Sequence, residues 1–551
     1  MISPITNLYL KPKNMTDSLN HLVKHFPICR RILGDNAWER ILSAFEYSEP
    51  WDFVQHINNV QDDNEVPGYL PDIALLEFNY QNLCRNPKSI PEKVEDIMVN
   101  PNLHLIPSKW CNLALLFNSQ DRTIQFKPEK KDSHILVWRH PLTGKVLCRE
   151  AFDNDLLALK LIVDDIDIKK AAQEENSSLG KLLAILHHAA EDGLLITPES
   201  GISRDPEYFS ANTLSNSFLK TDVFTLQWHI TQVCDLHCRH CYDRSDRIKL
   251  SFSDAQSVLD TFFDFIQKMN VRGHVTFTGG NPLLYPDFTK LYQTASDMGF
   301  SMAILGNPAS AGILDTLVDI QPLTHFQISL EGLEDYNDYI RGPGHFKRSL
   351  SFLERLREKD IYSMVMLTLN RDNMDQVLPL ADILKGKADS FTFNRLAMVG
   401  EAQALNMPDP KDFKVFLKAY VNAAKSNPVL SLKDNLINIV KAENGSELFG
   451  GCTGHGCGAA FNFVSILPDG EVHACRKFPS IIGNIKHDSL LNIYNSSMAQ
   501  KYRNGSSACR GCDLFSVCRG CPAVVYGMGL DCFESRDPFC FYAKDPDKPR
   551  I

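Results

Sequence analysis

Three cysteines, Cys234, Cys238 and Cys241, stand in one short loop directly behind the alternating segment Leu226, Trp228, Ile230. The alternation reads as a buried strand, so the loop at its end brings three thiols together. Thiolates at this spacing repel one another unless a soft cation holds them, and three of them leave a four-ligand metal or a cubane cluster one position short. An open position is where chemistry can occur. The residues also allow a closed Cys3His zinc site with His237 or His240 as the fourth ligand. Three unligated core cysteines fit less well, because structural thiols rarely cluster.

The chain of 551 residues is too long for one core. Its 44% hydrophobic and 23% charged residues are those of a globular protein. A formal charge of -10 and a pI near 5.9 argue against a nucleic-acid partner. No apolar run approaches the roughly 20 residues of a membrane span, and residues 1–15 lack the apolar core of a secretion signal. The expected compartment is the cytoplasm, where sixteen cysteines point to metal rather than disulfides. Nine of them crowd between Cys452 and Cys540, which marks a separate C-terminal domain.

Residues 1–130 read as a helical region, with helices over 16–45 and 67–84. Residues 131–200 begin with a hairpin, Ile135 to Arg139 and Lys145 to Arg149 around His140-Pro-Leu-Thr-Gly144, followed by helices starting near Asp153 and Ser178, the second capped by Gly193. A hairpin beside helices is the outline of a winged helix. Its helices carry Asp155, Asp164, Asp165, Asp167, Glu174, Glu175, Glu191 and Asp192, which would repel a phosphate backbone.

After a linker from Thr197 to Asp222, candidate strands 224–231, 274–278, 301–306, 325–331, 362–369 and 390–397 alternate with helical stretches over residues 222–425. Ser253 and Gln256 form a capping box for the first helix. Six such repeats imply an α/β fold with a parallel sheet, a partial (β/α)6 barrel whose ligands gather at the strands' C-terminal ends. Each end carries a polar or glycine motif: Thr278-Gly279-Gly280-Asn281-Pro282, Gly306-Asn307-Pro308, Ser329-Leu330-Glu331-Gly332 with Arg341 beyond it, Asn370, and Asn394-Arg395.

The spacing Cys-x3-Cys-x2-Cys followed by the aromatic Tyr242 resembles the signature of radical S-adenosylmethionine (SAM) enzymes. The resemblance implies that Cys234, Cys238 and Cys241 hold a [4Fe-4S] cluster whose fourth iron binds the amino and carboxylate groups of SAM. Gly279, Gly280, Asn281 and Pro282 resemble the Gly-Gly-Glu-Pro motif that receives the SAM ammonium. Asn281 replaces the glutamate and removes its charge assistance. Asn307 stands near the family's Thr-Asn-Gly turn. By the same resemblance Ser329 meets the SAM carboxylate with Glu331 and Arg341 nearby, and Asn370 and Arg395 reach ribose, adenine or carboxylate.

Residues 445–545 carry Cys452-x4-Cys457-x12-Gly470-x4-Cys475, then Cys509-x2-Cys512-x5-Cys518-x2-Cys521, with Cys532 and Cys540 behind. A hairpin turns at Pro468-Asp469-Gly470. In isolation, paired Cys-x2-Cys spacing suggests zinc ribbons. Beside the central region the layout resembles the SPASM extension, which carries two auxiliary [4Fe-4S] clusters and would bring the total to three. The resemblance assigns Cys452, Cys457, Cys475 and Cys521 to one cluster and Cys509, Cys512, Cys518 and Cys540 to the other. The Cys518 to Cys521 gap is one residue shorter than usual, and Cys532 is an alternative to Cys540.

These resemblances imply reductive cleavage of SAM to a 5'-deoxyadenosyl radical, with an electron donor of flavodoxin or ferredoxin type. SPASM proteins mature peptides and proteins, so the expectation is a maturase that modifies a ribosomally made precursor peptide, for example by a thioether or other crosslink. The winged-helix-like element would recognise the peptide's leader by strand addition. Thr278 to Pro286 and Leu305 to Pro308 resemble maturases of cysteine- or selenocysteine-containing peptides. Alternatives are a maturase of a whole protein such as a sulfatase, a maturase of a haem or quinone cofactor, and a zinc-binding winged-helix scaffold without turnover. The sequence names no catalytic acid or base.

Overall fold

The computed structural model describes residues 22–43, 45, 49–59, 66–119, 127–174, 177–205, 208–209 and 216–542. The chain divides into two compact units, Met1–Glu199 and Ser200–Ile551.

The first unit opens with helices α1 (Pro27–Ser43), α2 (Pro50–Asn59) and α3 (Leu70–Arg85). The start of the helix expected over 16–45 lies outside the described residues. Gly34, at φ 72°, breaks α1, and Pro71 sits in the first turn of α3, where its missing N–H costs nothing. Next come β1 (Met98–Val99), β2 (Leu103–Cys111), the short α4 (Leu113–Asn118), β3 (Glu129–Arg139) and β4 (Val146–Glu150). Helices α5 (Asp153–Val163), α6 (Ile168–Glu174) and α7 (Leu179–Glu191) follow, and β5 (Leu195–Ile196) pairs back with β1. Strands β2, β3 and β4 form an antiparallel sheet in that order.

Alternation along β3 divides the interior of this unit. Ile135 and Val137 join Phe26, Phe53 and Ile73 beneath the first helices, whereas Leu136 and Trp138 join Leu159, Ile185 and Leu186 from α5 and α7. Successive strand side chains point to opposite faces, so one strand serves two cores. The division expected at residue 130 therefore falls inside β3. Helix α7 starts where Ser178 accepts the Lys181 N–H and ends at Gly193, φ 75°, the expected cap position.

In the second unit β6 (Val223–Thr231), β7 (Arg272–Gly279), β8 (Ser301–Leu305), β9 (His325–Ser329), β10 (Ser363–Leu369) and β11 (Ser390–Arg395) pair in parallel in sequence order, with helices between. Phe224, Leu226, Trp228 and Ile230 on β6 are all fully buried. The helix after β6, α8 (Phe252–Lys268), buries Leu259, Phe262, Phe263 and Ile266 as its spacing predicts. Its cap is Ser251, which accepts the Asp254 N–H, rather than the expected Ser253.

The parallel sheet does not end at β6. Strand β12 (Phe463–Ile466) adds in parallel to β6 and continues through a hairpin into β13 (Glu471–His473) and β14 (Ile481–Asn484). The result is a nine-stranded sheet with β11 and β14 at its edges. The six parallel strands follow the order expected of a partial barrel, and the cysteine-rich hairpin extends that sheet.

Candidate active site

All six strands β6 to β11 point their C-terminal ends the same way, and a cavity of about 810 Å3 opens there. Cys234, Cys238 and Cys241 line it, together with Tyr242, Gly279, Gly280, Asn307, Ser329, Arg341 and Arg395 from the expected set. None of the sixteen cysteines is in a disulfide. Among the described residues no three His, Cys, Asp or Glu side chains close on a single-ion position.

The loop after β6 is held by polar contacts from several strand ends. Asn307 points its amide at Cys234 Sγ (3.6 Å) and at Asp235 (2.6 Å), and Asn281 donates to the same carboxylate oxygen at 2.9 Å. Asn281 is 5% exposed and also accepts the Leu283 N–H. Its amide is thus occupied in fastening the loop and does not line the cavity. Pro282, behind it, begins a buried turn.

The paired glycines answer to backbone crowding. A Cβ on Gly279 would lie 2.2 Å from Thr231 O, and one on Gly280 would lie 2.3 Å from Val233 O. Gly280 and Asn281 donate their N–H groups to those two carbonyls. The close backbone approach at these glycines is made by the end of β6 and the start of the cysteine loop.

Glu331, 1% exposed, is the electrostatic centre of the opposite wall. One of its oxygens accepts from Arg341 Nε (2.9 Å) and Nη2 (2.6 Å) and pairs with His240 Nε2 (2.9 Å), while the other accepts the Thr368 N–H at 2.8 Å. Burial alone would raise its pKa; His240, Arg341 and these hydrogen bonds outweigh burial and bring it down to about 2. Arg341 also directs Nη1 at Cys238 Sγ (3.7 Å). Glu331 therefore faces the cysteine loop rather than the open cavity.

Two further expected residues make their side-chain hydrogen bonds within the protein. Asn370 accepts from Tyr336 OH (3.0 Å) and from the Asp372 N–H (2.9 Å) and does not line the cavity. Arg395, at the cavity wall, makes a buried bidentate pair with Asp537 (2.8 and 2.7 Å) and a third bond to the partly buried Asp434 (2.7 Å). The Tyr242 hydroxyl lies 3.1 Å from His229 Nε2, and burial pushes the His229 pKa down to about 3, keeping the ring neutral.

Arg476 and Lys477, directly after Cys475, line the same cavity. Arg476 donates to Thr278 Oγ1 at 3.2 Å. Nothing in the spacing singled them out; their cue is their position, on a cysteine-bearing hairpin that turns out to flank β6.

The C-terminal cysteines fall into two groups. Cys509, Cys512, Cys518 and Cys540 line one small cavity of about 30 Å3. Cys457 and Cys475 lie within electrostatic reach of each other and of Cys521, and Cys457 also of Cys452. Cys532 packs against the same small core as Cys475 and Cys521, with its thiol on Pro522 O at 3.3 Å, and does not line the cavity of Cys509, Cys512, Cys518 and Cys540. The donor sets suit thiolate-ligated clusters: three cysteines with N–H donors aimed at two of their sulfurs, and two groups of four.

Residues 228–384 match the radical SAM superfamily, and residues 457–522 match SPASM, an iron-sulfur cluster-binding domain. The second unit thus carries a radical SAM domain followed by a SPASM domain, the domain architecture of an AdoMet radical oxidoreductase. It is 24% identical over 347 residues to the AdoMet-dependent heme synthase of Methanosarcina barkeri, covering 58% of this chain and 96% of that one. It is 28% identical over 332 residues to the mycofactocin maturase MftC of Mycobacterium tuberculosis (57% and 82%), and 27% identical over 286 residues to the sporulation killing factor maturation protein SkfB of Bacillus subtilis (49% and 63%). Among solved structures, Streptococcus suis SuiB bound to precursor peptide SuiA is similar at 17% identity with a TM-score of 0.46, over 74% of this chain and 96% of that one. No helix among the described residues is long and apolar enough to cross a membrane.

Proposed function

We propose that this protein is a peptide maturase: it modifies a ribosomally made precursor by SAM radical chemistry and grips the leader with its first unit. The observation that carries the reading is a unit that the family matches do not reach, residues 1–199, with its own cores and an antiparallel sheet. Among the described residues β2 and β4 each pair on one side only, the arrangement that accepts an added strand. Asp153, Asp164, Asp165, Asp167 and Asp192 are exposed around it, a surface unsuited to nucleic acid. The relatives MftC and SkfB, named for maturation, are in keeping with it.

In this reading Cys234, Cys238 and Cys241 hold a [4Fe-4S] cluster and the C-terminal groups hold two more. Bound there with SAM, the cluster supplies one-electron cleavage of the sulfonium for hydrogen-atom abstraction. The chain's own contribution is positional. Asn307 and Arg341 donate toward Cys234 and Cys238, Glu331 fixes Arg341 and His240, and Ser329 stands at the cavity wall for the SAM carboxylate. An electron donor of flavodoxin or ferredoxin type would reduce the cluster.

A second reading, a small carboxylated substrate such as a porphyrin, is favoured by Arg476 and Lys477 in the cavity wall and by the similarity to a heme synthase. Anaerobic incubation of the reduced enzyme with SAM and either the peptides encoded beside its gene or an iron coproporphyrin separates the two. A mass change confined to a peptide is expected; change of the porphyrin alone would overturn the peptide reading.

A further inference from the structure

Arg519 fills the shortened gap between Cys518 and Cys521, which belong to different cysteine groups. Its φ of 60° is a left-handed conformation that bulky residues rarely adopt, and Gly520 follows at 63°. The bend turns the guanidinium inward. Arg519 is 7% exposed, lines the same small cavity as Cys509, Cys512, Cys518 and Cys540, and donates through Nη2 to His455 O (2.7 Å) and Cys457 O (2.5 Å). It therefore touches both groups.

A second arginine lies beside it. Arg204, 4% exposed, donates to the same two carbonyls at 3.0 and 2.8 Å and sits 3.6 Å from the Phe461 ring centre. Arg204 Nε and Arg519 Nη1 are buried without a hydrogen-bond partner among the described residues. The acidic groups that act most on Arg519 are Cys457, Cys518 and Cys509, and those on Arg204 are Cys457 and Tyr494, and neither arginine makes an ion pair with a carboxylate among the described residues. Asp537 lines the same small cavity but is paired with Arg395, and two adjacent buried cations without a carboxylate ion pair of their own are costly unless negative charge arrives from elsewhere. Clusters held by four thiolates each carry that charge, and neighbouring cations raise their potentials.

We propose that Arg519 is a shared counter-cation that holds up the reduction potentials of both auxiliary clusters, while Arg204 acts on the Cys457-bearing cluster alone. This rests on the reading that the two cysteine groups hold [4Fe-4S] clusters.

Anaerobic potentiometric titration of the full-length reconstituted protein, followed by electron paramagnetic resonance, tests it. In R519Q both auxiliary midpoints should fall by at least a tenfold shift in the oxidised-to-reduced ratio at fixed poise, about 59 mV for one electron. Iron content and the midpoint of the Cys234 cluster should stay unchanged. R519K should keep both potentials near wild type, and R204Q should lower only one. An R519Q protein with full iron and unmoved midpoints, or with one midpoint moved, overturns the proposal. Should R519Q lose iron, R204Q decides, and an unmoved midpoint there overturns it equally. Zinc with no reducible auxiliary cluster in the wild type would instead sink the cluster reading itself.

Discussion

Glu331 ties Arg341 and His240 together at the cysteine loop from a position closed to solvent, so its removal leaves Arg341 buried without compensation. Breaking a buried pair in this way costs about 3–5 kcal/mol. Glu331→Gln is expected to lose stability of that order in anaerobic denaturant titrations and to form 5'-deoxyadenosine at less than about a tenth of the wild-type rate, since roughly 1.4 kcal/mol of lost positioning already accounts for tenfold. Wild-type values on both counts would contradict the role given to Glu331. The cysteine grouping makes a separate prediction. Cys540→Ser should lose one cluster, about four of about 12 irons, whereas Cys532→Ser should keep the full complement, as measured by iron and sulfide analysis. The gathering of the three loop cysteines was legible at this scale because closely spaced thiols have few other uses. The roles of Asn281, Asn370 and Arg395 were not, because a polar residue at a strand end reads the same whether it meets a ligand or a neighbouring carboxylate.

At the scale of elements, the end of β6 and the start of β7's exit turn are packed backbone to backbone. Gly280→Ala would place a methyl 2.3 Å from Val233 O, and overpacking there costs about 1–3 kcal/mol. The expected result is a displaced cysteine loop, read as lost iron at that site with the auxiliary clusters intact; full iron and normal SAM cleavage would refute the crowding argument. The sheet also carries a pH dependence. His274 on β7 and His325 on β9 stack at 6.2 Å. Burial lowers both to about 4, helped by His325 acting on the first and by Lys433 on the second. Between about pH 4 and 6.5 the unfolded chain binds protons that the folded one refuses, so stability is full above that window and falls as pH drops through it, by up to about 3 kcal/mol per histidine. Replacing both by Gln should flatten the stability profile there. The six parallel strands were readable because short segments of alternating or continuous apolar residues recur between helical stretches. The addition of β12 to β6 was not, since pairing across more than two hundred residues leaves no local signature.

For the whole molecule, the fold joins a SAM radical core to its cysteine-rich extension through one continuous sheet and places Arg476 and Lys477 in the wall of the cavity that the Cys234 loop also lines. The first unit has no counterpart in the family matches, and its function was the least legible part: a hairpin beside helices fits several partners, and only its acidic surface and setting narrow them. Metal content bears on the account globally. The anaerobic wild type should hold about 12 irons in three cubanes, and the Cys234/Cys238/Cys241→Ala variant about eight. The most direct test of the central claim is to add SAM to the reduced, reconstituted protein and follow both the electron paramagnetic resonance of the Cys234 cluster and nucleoside release. A perturbed cluster signal with 5'-deoxyadenosine formed, both absent in the triple alanine variant, is the predicted result. An unperturbed signal and no cleaved nucleoside from the fully iron-loaded wild type would contradict it.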